Sequence, residues 1–353
     1  MNPHIVDGNL ESLHRRAATE KITGDDRIVI LSDLHMGNKG ERDDFKKNSN
    51  LTTYVLQHYY FNQNFRLILN GDIEELHKFR LRDILAQYQA LYSVFDLFRQ
   101  RDRLVKIVGN HDHHLCAEKR YPLREQLDAS LKLDYEGEEI FIFHGHQASD
   151  MIEKYNALSG FALRYFARPL RIKNVSAAYN SKRKYRVEKV VHKFSRERRI
   201  ISIIGHTHRP LFESLSKIDF IKYNIEQLCR KYATAPSRDK KSIELDIRDY
   251  KEELRYYRKK NKKMAVRSSP YDSLLPIPCL FNSGCAVGKR GITAIELHGG
   301  IIALVYWFGH KKRKKYLRHY DQKPARLGTS NYFRMVLNQD QLDYIFSRIK
   351  LLV

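Results

Sequence analysis

Short, strongly apolar runs recur along the first two-thirds of the chain. They are Ile28-Val29-Ile30-Leu31, Arg66-Leu67-Ile68-Leu69, Leu104-Val105-Lys106-Ile107-Val108, Ile140-Phe141-Ile142-Phe143 and Ile200-Ile201-Ser202-Ile203-Ile204. Later runs follow at Cys279-Leu280-Phe281-Asn282, Ile292-Thr293-Ala294-Ile295 and Ile301 to Trp307. Runs this short, bounded by polar residues and rich in β-branched side chains, predict strands. Because nearly every position is apolar, both faces of the sheets must be covered, by helices or by a second sheet. Arg80 to Arg101 instead repeats at helical spacing (Leu81, Ile84, Leu85, Tyr88, Leu91, Tyr92, Phe95, Phe98) and predicts one covering helix.

Two stretches break this rhythm. Residues 150–199 lack strand signals and read as a basic helical insertion, a lid. Residues 216–275 read as a helical hairpin, broken near Ala235-Pro236-Ser237 and closed by Ser268-Ser269-Pro270. The expected organisation is an N-terminal segment (1–26), a core assembled from 27–149, 200–215 and 276–308, the two insertions, and a basic C-terminal tail with a helix (309–353).

Each of the first five runs ends in a polar cluster: Asp33-Leu34-His35, Gly71-Asp72, Gly109-Asn110-His111-Asp112, His144-Gly145-His146 and Gly205-His206-Thr207-His208. Ligands of α/β sheets sit beyond the carboxyl ends of the strands, so the five clusters should converge on one crevice. Convergent Asp, Asn and His suit divalent transition metals. Seven candidate ligands exceed what one tetrahedral ion accepts; they fit two ions about 3.5–4 Å apart that share a carboxylate. Such a pair lowers the pKa of a bridging water and neutralises charge on phosphoryl oxygens.

In this order the motifs DxH, GD, GNHD, HGH and GHTH resemble the calcineurin-like metallophosphoesterase superfamily, across residues 27–149, 200–215 and 276–308. The resemblance implies an α/β fold, more closely an α+β sandwich: two central mixed β-sheets flanked by helices, a four-layer core with helical insertions. It implies that Asp33, His35, Asp72 and His208 hold one ion, and that Asp72, as the bridge, holds the other with Asn110, His144 and His206. His111 would be the general acid on the leaving oxygen, a role suited to imidazole, with Asp112 as its orienting partner. His146 lies outside the matched ligand position and is expected to pack behind the ligands. His77, His113 and His114 read as ordinary polar residues near the cleft, and Cys285 as part of a loop approaching the site. Manganese is the foremost expectation, with iron, zinc and cobalt nearly as well suited to mixed N/O donors.

Within the superfamily, the Gly71 to His77 stretch lacks the Asp-Arg-Gly of the serine/threonine phosphatases. Ser32 to Gly37, Asn70-Gly71-Asp72, GHTHRP and the helical insertion are closer to the UDP-2,3-diacylglucosamine hydrolase-like group, which splits a pyrophosphate. GNHD and HGH stand here where that group resembles GNRD and HGD. The expected activity is dinuclear hydrolysis of a phosphodiester or pyrophosphate, on a nucleotide- or lipid-linked pyrophosphate; the alternative is a nuclease acting on DNA or RNA.

Charge bears on the partner. The formal net charge is +23, and it is concentrated: residues 164–199 hold thirteen Lys/Arg against Glu188 and Glu197. Residues 255–267 add seven bases without an acid, and 311–326 add eight against Asp321. The rest of the chain is near neutral, so three basic patches sit on an ordinary domain, which points to an anionic phosphorylated substrate and to an anionic membrane surface or nucleic acid. Apolar residues make up 42% and no run reaches the ~18 residues of a membrane span. Four cysteines without a CxxC pair and an N-terminus without a signal-like block lead to a cytoplasmic expectation, peripheral on the inner membrane face.

Overall fold

In the computed structural model, residues 3–149, 181–214, 217–260, 277–287, 291–309 and 324–353 are described. One sheet runs in the order β1 (Ala18–Ile22), β6 (Ser130–Tyr135), β7 (Glu138–Phe143), β8 (Ile201–Ile204), β9 (Leu280–Asn282). The larger holds β12 (Ala325–Arg326), β13 (Tyr332–Gln341), β11 (Ile301–Gly309), β10 (Ile292–His298), β2 (Ile28–Leu31), β3 (Arg66–Asn70), β4 (Leu104–Ile107) and β5 (Leu127–Asp128), in that order. Both are mixed: β2 to β5 and β7 to β9 pair in parallel, whereas β10, β11 and β13 pair antiparallel.

Strand alternation sorts the side chains into layers. Ile28, Ile30, Ile68 and Ile107 meet Leu131, Leu133, Ile140 and Ile203 between the sheets. The alternate residues Val29, Leu31, Leu67 and Leu69 pack outward on α2 (Ser49–Val55), α3 (Leu81–Gln87) and α4 (Gln89–Arg99), through Leu51, Ile84, Leu91, Phe95 and Phe98. On the opposite outer face Phe141, Phe143, Ile204 and Leu280 lie under α1 (Pro3–Arg16) and α5 (Ser181–Arg198), through Leu10, Val187, Val191 and Phe194. This is the four-layer, helix–sheet–sheet–helix sandwich that the motif resemblance implies, and it covers both faces of the apolar strands. Truncating an inter-sheet residue such as Ile68 to Ala costs about 2–5 kcal/mol, because the cavity has no room to collapse. Helices α6 (Lys217–Thr234) and α7 (Ser237–Lys260) pack on one another as a hairpin around Ala235-Pro236. The C-terminal α8 (Leu342–Leu352) inserts Leu342, Ile345, Phe346 and Ile349 into the inter-sheet core.

The Arg80–Arg101 stretch departs from expectation. It forms two helices broken at Tyr88, whose backbone (φ −113, ψ 27) leaves the helical region while its hydroxyl donates to Asp43 Oδ2 at 2.6 Å. That buried tether re-aims α4. The Ile152–Phe166 aromatics, Lys182-Arg183 side chains, most of 255–267 and most of 311–326 lie outside the described residues or side chains. No helix among the described residues is long and apolar enough to cross a membrane.

Candidate metal centre

The five motif clusters follow β2, β3, β4, β7 and β8, and the two-sheet arrangement brings them to one rim. The backbone there is unusual. Of twelve non-glycine residues with positive φ among those described, five are sequence-predicted ligands: Asp33, His35, Asp72, His206 and His208. Each such conformation costs about 1–3 kcal/mol and persists only where surrounding structure enforces it, which is characteristic of functional sites. Two glycines are required for close approach. A Cβ on Gly109 would lie 2.2 Å from Asp72 Oδ1, and one on Gly205 would lie 2.6 Å from Asp33 Oδ2.

Backbone amides fix the two carboxylates, His206 N donating to Asp33 Oδ2 (2.9 Å) and His111 N to Asp72 Oδ1 (2.8 Å). The other oxygen of each is thereby aimed into the crevice. Asp33 Oδ1 lies 3.1 Å from His208 Nε2 and 3.7 Å from His35 Nε2. Asp72 Oδ2 lies 3.1 Å from His144 Nε2 and 3.8 Å from His35 Nε2, so it reaches both groups. The side chains thus gather as Asp33/His35/His208 and Asp72/His144/His206, each set with ligand atoms within 4.8 Å of one another.

Asp33 Oδ1, Asn110 Oδ1, His144 Nε2 and His206 Nε2 are buried and have no hydrogen-bond partner among the described residues. Buried polar atoms are nearly always paired, so orphans in both the Asp33 and the Asp72 groups fit cations as the missing partners. The spacing agrees, since ligands about 2.0–2.2 Å from one ion stand roughly 3 Å apart. A carboxylate, amide and imidazole set fits a divalent ion of borderline softness. The remaining ring nitrogens are held from behind: His144 Nδ1 donates to Asn70 O (2.8 Å), and His35 Nδ1 to Glu75 Oε2 (3.1 Å).

Electrostatics among the protein groups follow. Burial opposes charge on His35, yet the hydrogen bond to Glu75 and the nearby carboxylates of Asp33 and Asp72 push its pKa up to about 10. Burial is likewise outweighed at His144, which the Asp72 and Asp33 carboxylates push up to about 9. His206 is held down to about 3 by burial and the neighbouring His144. Asp33 and Asp72, despite burial, lie well below the usual carboxylate range because of the imidazoles around them.

His111 stands at the edge of this group, Nε2 3.9 Å from Asp72 Oδ2. The carboxylate on its Nδ1 is Glu75 (2.7 Å), and the expectation that Asp112 orients the ring is corrected. Asp112 instead accepts from Gly109 N (2.6 Å), Ile73 N (2.9 Å) and Lys106 Nζ (2.8 Å), tying the second and third motif loops together. Lys106 is fully buried; it also donates to Glu74 (2.8 Å), which accepts from Tyr92 and Tyr121. His77 packs 4.3 Å from the His111 ring and is held down to about 4 by burial and that imidazole. His146 packs 5.5 Å from the His144 ring. Cys285 lies beside the site, its thiol pushed up to about 12 by burial and by Asp33. Among the described residues all four cysteines are free.

Glu74, Glu75 and Lys106 were not picked out from the sequence. Two signals were available: consecutive acids directly after a ligand motif, and one lysine inside an otherwise apolar strand run.

The chain matches the calcineurin-like phosphoesterase superfamily domain over residues 27–222. No curated protein matches it. Among solved structures it is similar to a cold-active protein tyrosine phosphatase (12% identity, 83% of this chain and 80% of that one, TM-score 0.39). It is also similar to a single mutant of Vps29 from Entamoeba histolytica (10% identity, 88% and 99%, TM-score 0.36). Overlaps this loose say nothing about chemistry. The domain match does: with more than half of its residues inside it, the chain belongs to the calcineurin-like phosphoesterase superfamily and is a metal-dependent phosphoesterase.

Proposed function

We propose that the chain is a dinuclear phosphoesterase that hydrolyses a phosphodiester or pyrophosphate bond, with a nucleotide- or lipid-linked pyrophosphate as its substrate. The observation that carries this reading is the position of Asp72 Oδ2, within 4 Å of His35 and His144 and so shared between the two ligand groups. Asp33, His35, Asp72 and His208 would hold one ion, and Asp72, Asn110, His144 and His206 the other. Manganese is the first choice for both, ahead of iron, zinc and cobalt. When bound, the two ions supply Lewis acidity, activating a water and neutralising charge on the phosphoryl oxygens.

The chain's own residues do the remaining work. Glu75 stays ionised: burial raises its pKa, but hydrogen bonds from His111 and His35 hold it well below the ordinary carboxylate range. Its oxygen on His111 Nδ1 leaves Nε2 as the nitrogen facing the cleft, in position to protonate the leaving oxygen. Buried walls around Asp33, Asp72 and His144 keep bulk water from the ligands, which strengthens every charge interaction there.

The motif likeness to the UDP-2,3-diacylglucosamine hydrolase-like group and the basic insertion support a pyrophosphate at an anionic membrane surface on the cytoplasmic side. The +23 charge equally favours the second reading, a nuclease on DNA or RNA. A manganese-dependent screen across bis-p-nitrophenyl phosphate, a sugar-nucleotide pyrophosphate and single-stranded DNA tests both. Hydrolysis of the pyrophosphate in preference to DNA is expected; preference for DNA selects the nuclease, and no metal-dependent turnover on any of the three rejects the proposal.

A further inference from the structure

The metal-ligand loop after β8 is clamped to the insertion. Thr207 stands between His206 and His208, and its Oγ1 donates to Glu188 Oε1 at 2.9 Å. Arg209 donates Nε to the same oxygen at 3.0 Å, and its Nη2 pairs with Glu188 Oε2. Glu188 is buried on α5, whose Val187, Val191 and Phe194 are anchored in the outer core of the smaller sheet. The orientation of this helix beside the metal centre is therefore determined from two sides.

On a helix, residues four apart share a face. Lys184 is one turn before Glu188, on the face that meets the Thr207/Arg209 loop. Two further relations locate it. Ala286 N donates to the Asp33 carbonyl at 3.2 Å, which puts the adjacent Cys285 against the metal centre. Cys285 in turn feels the charges of both Asp33 and Lys184. Lys184 is half-buried, and among the described residues it has no ion-pair partner, while the charge of Arg209 is taken up by Glu188. Burial lowers the Lys184 pKa, and the nearby Cys285, Glu188 and Asp33 only partly restore it. A partly desolvated cation without a counterion is costly unless an anion completes it.

We infer that Lys184 anchors an anion subsite beside the metal centre, which takes a second phosphate adjacent to the scissile phosphoryl group. The preferred substrates are then molecules with two linked phosphates rather than simple diesters. This deepens the proposed function and rests on it.

The test compares a sugar-nucleotide pyrophosphate with bis-p-nitrophenyl phosphate, in the manganese-loaded full chain and its Lys184→Met and Lys184→Arg variants. The wild type should favour the pyrophosphate. In Lys184→Met the ratio of kcat/KM values, pyrophosphate over diester, should fall about 10- to 100-fold, the worth of one charge-assisted hydrogen bond, chiefly through KM. Lys184→Arg, which keeps the charge, should recover most of that ratio. A ratio unmoved in Lys184→Met overturns the subsite, whether overall activity falls or not. A wild type that turns over the diester but not the pyrophosphate overturns the subsite and leaves the phosphoesterase standing. A wild type that turns over neither rejects the proposed function and the subsite with it.

Discussion

Glu75 accepts a hydrogen bond from His111 Nδ1 at 2.7 Å, and its second oxygen accepts from His35 Nδ1 at 3.1 Å. One buried carboxylate thus orients both a proposed metal ligand and the proposed general acid. Because removing such a partner typically costs 10–100-fold, Glu75→Ala should lower kcat by about that factor. The loss should be larger on an alkyl phosphoester than on a p-nitrophenyl ester, whose leaving group departs without a proton. Equal losses on the two esters, measured at saturating metal, would mean that Glu75 acts through His35 alone.

Asp72 Oδ2 lies within reach of both ligand groups and is the proposed bridge, so its loss should not be confined to one position. Asp72→Ala is expected to bring hydrolysis to background and to reduce bound metal at both sites. Elemental analysis after gel filtration reads this directly. Two ions per chain retained by the variant would remove Asp72 as the bridge.

Lys106 makes two ion pairs at 2.8 Å in a fully buried setting, with Glu74 and Asp112. Removing one member of a buried network strands the others, at about 3–5 kcal/mol. Lys106→Met should therefore destabilise the protein by that amount in denaturant titration. The triple change Lys106→Met, Glu74→Gln, Asp112→Asn should recover part of the loss, since it leaves no uncompensated charge. A single variant within 1 kcal/mol of wild type would show that the network contributes little.

Protons and cations compete for the same nitrogens. The folded-state pKa values of His35 and His144, about 10 and about 9, exceed the ordinary 6.5. The stability they contribute is complete below pH 6.5 and is lost as pH rises through 9–10. In chelator, unfolding free energy should fall from pH 7 to pH 10, while manganese affinity rises over the same interval with proton release. Manganese binding whose affinity is flat across that interval, followed by calorimetry in two buffers, would contradict this.

The candidate ligand set was legible from the chain because metal chemistry restricts residue type. Asp33, His35, Asp72, Asn110, His144, His206 and His208 each follow an apolar run that can only be a buried strand, and strand ends are where a sheet presents polar groups. That the strands are buried on both faces was legible for the same reason, since Ile28 to Leu31 or Ile201 to Ile204 cannot be left facing water, whereas the two-sheet arrangement was implied only by the likeness of the motifs to the superfamily. What supports the ligands was not. Glu75 meets His111 across 36 positions of sequence and Lys106 meets Glu74 across 32, and a carboxylate's partner is set by where loops fold, which periodicity does not encode. The break at Tyr88 depends on a buried hydrogen bond to Asp43, 45 residues away, against a helical pattern that continues through it. The place of β13 was hidden too: most of its residues are only half-buried, its last four (Asn338 to Gln341) are polar, and pairing with β11 holds them in a strand. Local sequence determined which groups could bind metal and which segments had to be buried. The tertiary fold decided which carboxylate holds which histidine, and that Glu188 of α5 clamps the loop carrying His206 and His208.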